Sequence, residues 1–148
     1  MMAIYRRSNA GENMTRNITT LSLAIAVAVS GPAMATAPRA RATPNQQLTA
    51  GQVLKVTGKG FSPDQVVFIV QCNRDVAAYG EDACNINNYV AVTTTRKGLV
   101  PATMFTVQTG TVGNGTCGTS KVDRKCYIAI STEDLSQHAN AEVLFAVP

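Results

Sequence analysis

A chain of 148 residues is long enough for one domain, and its formal charge of +4 with 15% charged residues leaves no charge block of the kind that marks a nucleic-acid tail. One histidine cannot build a metal triad, and the absence of tryptophan removes the buried-tryptophan hallmark of antibody domains. The four cysteines include no C-x-x-C pair, which argues against zinc.

The chain begins with Arg6, Arg7 and Arg16, followed by the apolar run "LSLAIAVAV" (21–29) and by "SGPAMAT", with Ala33 and Ala35 at small-x-small spacing. This is the pattern of a secretory signal cut after Ala35. Nine apolar residues are too few to span a bilayer. Met14 is an alternative start, because "MTRNITTLSLAIAVAVSGPAMA" is a more ordinary signal by itself. No cysteine sits at the cleavage site, so no lipid anchor is expected. Residues 1–35 are therefore expected to be a signal peptide, 36–42 a flexible lead-in, and 43–148 the folded domain of a secreted protein without a membrane span.

Short strands with frequent turn signals follow. The first is expected near 43–49 and the second at "QVLKVTG" (52–58), before the turn chemistry of "GKGFSPDQ". "VVFIVQC" (66–72) is a continuous apolar run, as in a strand buried between two sheets. "NYVAVTTT" (88–95) alternates, and "LVPATMFTV" (99–107) carries Pro101, which suits an edge strand or a bulge. "QTGTVGNGT" (108–116) reads as a hairpin loop. "KCYIAIS" (125–131) and "AEVLFAV" (141–147) complete seven strands. No segment of ten residues has helical periodicity. The pattern predicts an all-β chain, a seven-stranded immunoglobulin-like sandwich.

Export implies that Cys72, Cys84, Cys117 and Cys126 are oxidised. Three pairings are possible. Cys72–Cys84 and Cys117–Cys126 are favoured because each closes a short polar loop. Removing Arg6, Arg7, Arg16 and Glu12 with the signal leaves ten basic and eight acidic residues, a net +2. The basic residues are scattered along the sequence and form no run, so strong direct binding of nucleic acid is not expected.

Catalytic chemistry is sparse. His138 lies in the polar stretch "LSQHAN" and reads as solvated. Glu81 and Asp82 are adjacent carboxylates at a loop tip with no partner, and no G-x-S-x-G elbow surrounds any serine. No cofactor is expected, and no catalytic residue. Phe61, Phe68, Phe105 and Phe145 fall on or beside strands and read as core. Tyr89 and Tyr127 need water or a partner for their hydroxyls, so they are candidates for a cleft wall.

"LTAGQVLKVTGKGFSPDQVVFIVQC" (48–72), "ACN" (83–85) and "CYIAIS" (126–131), in this order, resemble the neocarzinostatin family, the secreted apoproteins of enediyne chromoprotein antibiotics. The resemblance covers about 43–147. It implies a seven-stranded immunoglobulin-like sandwich with two local disulfides and a monomeric, non-enzymatic carrier. The carrier holds a small apolar chromophore, and DNA damage and antimicrobial activity belong to that ligand. By the same resemblance the ligand site comprises Cys72, Cys84, Tyr89, Tyr127, Ala129 and Ser131. Only nine residues separate the fifth expected strand from Cys117, and Tyr127 and Ala129 are bulkier than the family pattern. A narrow, shallow site of about micromolar affinity is therefore expected, near −8 kcal/mol. The alternative is a secreted immunoglobulin-like module of the cell envelope that binds a protein or glycan and no chromophore.

Overall fold

The computed structural model describes residues 35–147. The expected signal peptide lies outside the described residues but for Ala35. Among the described residues there are nine strands: β1 (Arg39–Thr43), β2 (Val53–Lys59), β3 (Val66–Cys72), β4 (Cys84–Thr93), β5 (Val100–Thr106), β6 (Gly110–Val112), β7 (Gly115–Cys117), β8 (Lys125–Thr132) and β9 (His138–Leu144). One helical turn, α1 (Val76–Tyr79), and a 3-10 turn at Gly80–Ala83 fill the connection from β3 to β4. All strand pairs are antiparallel. One sheet has the order β1-β2-β5, the larger has β4-β3-β8-β9, and β6-β7 is a separate ribbon.

The all-β sandwich class agrees with the sequence reading, but the count of seven strands becomes nine. The two additions are β6 and β7, in the segment read as a loop. The first strand ends at Thr43 instead of starting there, because Pro44 has no N–H for the next ladder position. Leu48 meets Phe145 only through an isolated bridge. β1 thus takes up part of the expected lead-in. Pro101 does lie on an edge strand, β5.

Alternation builds the core. On β2 and β5, Leu54, Val56 and Phe105 point inward; on β3, β8 and β9 the inward set is Val67, Ile69, Ile128, Ile130 and Val143. Each such side chain stabilises the fold by about 1.5–3 kcal/mol. Gln71 occupies one inward position and is fully buried. Its amide nitrogen donates to the Gln108 carbonyl at 2.8 Å, and its amide oxygen accepts from the Gln108 N–H at 2.9 Å. This side chain thereby stands in for a strand neighbour at the point where the chain leaves β5.

Both bridges form as favoured: Cys72–Cys84 and Cys117–Cys126, with no free cysteine among the described residues. The loop within the second is organised by Asp123. Its carboxylate accepts from the N–H groups of Thr119 (3.1 Å) and Ser120 (2.6 Å) and from both hydroxyls. Burial alone pushes this carboxyl up, but the hydrogen bonds from Thr116, Thr119 and Ser120 together outweigh it and hold it well below the ordinary carboxylate range. A depressed folded-state value means that the stabilisation is present above about pH 4 and is lost as pH falls further. Asp123→Ala is expected to cost about 2 kcal/mol at pH 7. In urea titrations from pH 7 to pH 3 the variant should lose less stability on acidification than the wild type. Equal slopes would remove Asp123 from the account.

Candidate functional site

The larger sheet has two faces, and β3 presents apolar residues on both. Residues 67, 69 and 71 of β3 face the core, so Phe68, Val70 and Cys72 face outward. Register places their neighbours. Ala91, Phe68, Ser131 and His138 form one row across the sheet; Tyr89, Val70, Ala129 and Asn140 form the next; Cys84, Cys72, Tyr127 and Glu142 form the third. On the outer side, Phe68 and Val70 of this apolar strand line a cleft.

β4 builds one wall of the cleft. Opposite the two steps from Val70 to Cys72 it inserts five, from Tyr89 to Cys84. The excess bulges away from the sheet and carries Ile86, which is 63% exposed, to the cleft mouth. Tyr89 meets Phe68 edge to face, with centroids 5.4 Å apart and planes at 76°. The other flank of this wall is the segment 73–84, pinned at its two ends by the disulfide. Val76, Ala77 and Gly80 present its apolar side to the cleft. The opposite wall comes from β9 and the turn before it. That turn is fixed by Asp134, whose carboxylate accepts from the Thr132 and Ser136 hydroxyls, both at 2.7 Å; these bonds lower its pKa to about 2. Within it Leu135 adopts φ +58, a conformation uncommon for leucine, and lines the mouth half-exposed. The volume of the cleft is about 770 Å³, within the range of small-molecule sites.

Four of the six residues expected at the site line this cleft: Cys84, Tyr89, Ala129 and Ser131. Cys72 is fully buried, so the bridge offers the cleft only its Cys84 half. Tyr127 faces the same way but packs on the cluster of Val70, Cys72, Cys84 and Ala129, outside the lining. Tyr127 therefore does not narrow the cleft as expected. Phe68 was expected in the core and is half-buried in the cleft floor instead, whereas Phe61, Phe105 and Phe145 are core. His138, expected in a polar loop, opens β9 at the cleft margin. Val70, Val76, Ile86 and Leu135 were not anticipated.

The ribbon β6–β7 does not cover the cleft. It docks on the far side of the 73–84 segment, where Thr111 and Gly113 border a separate polar groove with Glu81, Asp82, Asn85 and Asn87. Buried Asn73 joins the two parts, donating to the Val112 carbonyl and to Asn114 Oδ1, both at 3.0 Å.

Fold and site together define an all-β, immunoglobulin-like sandwich, stapled by two local disulfides, with an apolar cleft outside its larger sheet. The chain belongs to the neocarzinostatin family, whose family pattern matches residues 40–146. Its fold is similar to that of macromomycin, with a TM-score of 0.57 and 24% identity over 74% of this chain and 100% of that one. It is also similar to the solution structure of apokedarcidin, with a TM-score of 0.52 and 21% identity over 75% of this chain and 100% of that one. No curated protein matches the chain in sequence.

Proposed function

We propose that this protein is a non-enzymatic carrier that holds a small, flat, apolar molecule of the enediyne-chromophore type in the cleft outside its larger sheet. Family membership supports the class. The observation that carries the reading is the outward-facing floor of Phe68, Val70 and Ala129, apolar where a solvated sheet face would be polar. Tyr89 is 54% exposed, which leaves a ring face open for stacking while Phe68 braces its edge. Ser131, Asn140 and His138 supply the few polar groups that orient a bound molecule. Holding a ligand requires no side chain to change its bonding, so the adjacent Glu81 and the lone His138 need no catalytic role. Secretion, with the signal cut near Ala35, belongs to the same proposal. No helix among the described residues is long and apolar enough to cross a membrane.

The test is fluorescence titration of the native protein with a neutral anthracenyl probe. Phe68→Ala and Tyr89→Ala are each expected to weaken binding about tenfold, from an aromatic contribution of about 0.5–1.5 kcal/mol plus lost contact area. Tyr127→Ala should have little effect on affinity, since that ring lies outside the lining. The carrier reading fails if the first two variants stay folded and bind the probe like the wild type.

A further inference from the structure

Four of the ten basic residues in 36–148, scattered along the sequence, gather in space. Arg39 and Arg41 stand two apart on β1, and Lys55 and Lys59 four apart on β2, so a period of two sends all four to the same side. That side is the outer face of the β1-β2-β5 sheet, where all four are exposed. Arg39 lies directly opposite Lys59, and Arg41, opposite Thr57, is diagonal to both lysines. Neighbouring cations on this zigzag are therefore about 5–8 Å apart at Cβ. None of the three strands contains an aspartate or glutamate, and none of the four cations makes an ion pair among the described residues. Like charges directly opposite each other destabilise a sheet. Arg39 against Lys59 is thus a local cost that the fold itself does not require.

Two exposed apolar side chains stand on the same face. Met104, 66% exposed, is directly opposite Lys55, and Val53, 49% exposed, is diagonal to Met104. We infer that this face docks the protein on an anionic phospholipid bilayer, with the four cations on headgroup phosphates and Met104 and Val53 entering the headgroup–acyl boundary. A purely ionic polymer partner would leave Met104 and Val53 unexplained. Nucleic acid fits less well, because the three strands carry no asparagine or glutamine to read base edges and no outward aromatic to stack on bases. Charge elsewhere sets the orientation. Glu81 and Glu133 line the cleft outside the opposite sheet, so the field of an anionic surface turns the basic face inward and leaves the cleft to solvent.

The experiment is co-sedimentation of the native protein with vesicles of equal phosphatidylglycerol and phosphatidylcholine, and with phosphatidylcholine alone, at about 0.1 M salt. Each cation near the surface is worth about 1 kcal/mol, roughly fivefold, so Arg41→Gln with Lys55→Gln should lower partitioning to anionic vesicles about twenty-five-fold. Lys121→Gln with Arg124→Gln removes the same charge from the Cys117–Cys126 loop and should change partitioning less than threefold. Met104→Ser should weaken binding severalfold, and that loss should persist as salt is raised. Arg39→Gln with Lys59→Gln relieves the opposed pair, so its thermal midpoint should not fall while its binding does. The inference is overturned if the face variants partition like the wild type, or if the loop variant loses as much as they do. It is equally overturned if duplex DNA at equal phosphate concentration binds the protein more tightly than the anionic vesicles.

Discussion

Replacing Cys72 and Cys84 together with alanine is expected to cost about 3 kcal/mol, the chain-entropy value for a closed loop of this length. In a domain this small that lowers the thermal midpoint by roughly 10–20 °C. The larger consequence is for the cleft. The bridge joins β3 to β4 where their registers part, and the segment it closes bears Val76, Ala77 and Gly80 on the cleft wall. Without it the 73–84 segment retains Asn73 and its ribbon contacts but loses the covalent anchor at its C-terminal end. Probe affinity should fall at least tenfold at temperatures where the variant is still folded. The Cys117–Cys126 double alanine variant is the comparison: a similar loss of stability, with affinity within about threefold, because neither of those cysteines lines the cleft. Equal loss of affinity in both would mean that the first bridge acts through global stability alone.

Much of this fold was legible because alternation and turn chemistry are local. "QVLKVTG", "VVFIVQC" and "KCYIAIS" each became a strand, and the cysteine loops closed as their lengths suggested. The ribbon at 110–117 was not legible because three-residue strands rich in glycine and threonine carry no hydrophobic period. They hold through Asn73 and through backbone contacts with the 73–84 segment, which sequence spacing does not reveal. β1 was displaced for a similar reason, since "RARAT" buries only small alanines.

The site was half legible. Strand alternation puts Tyr127, Ala129 and Ser131 on one face of β8 and Cys126, Ile128 and Ile130 on the other. Phe68 was misplaced because an unbroken apolar strand was read as one buried between two sheets. In a sandwich of two layers no strand is covered by sheets on both sides, so the apolar residues at 68, 70 and 72 already signalled a second apolar surface. Ile86 and Leu135 depend on a bulge and on a left-handed turn residue, neither of which has a sequence period. The basic face is a further feature without a local signal in the sequence. Arg39, Arg41, Lys55 and Lys59 form no run along the chain, yet strand period and pairing gather them into one patch.

Gly113→Ala should be as damaging to stability as loss of the first bridge, and for a reason confined to the far side of the 73–84 segment. Gly113 has φ +58, and a Cβ there would lie 2.4 Å from the Ala83 carbonyl carbon, 2.5 Å from the Asp82 oxygen and 2.6 Å from the Cys84 nitrogen. All three are backbone atoms, next to a disulfide, and none can swing aside as a flexible side chain would. The ribbon must therefore lift. Lifting it breaks the bond from the Asn114 N–H to the Asp82 carbonyl, 2.8 Å, and strips buried Asn73 of its two acceptors. The left-handed backbone costs alanine about 1–2 kcal/mol, and the stranded polar groups cost about 1–3 kcal/mol more. Gly51→Ala separates the two contributions: Gly51 also has positive φ, +78, but a Cβ there would meet nothing within 4 Å, so it should lose only the first. Because the ribbon borders the polar groove and not the cleft, Gly113→Ala should keep probe affinity within about threefold below its unfolding transition. A variant as stable as Gly51→Ala would show that the ribbon is not docked as described. A variant that stays folded but no longer binds the probe would show that ribbon and cleft are one coupled unit.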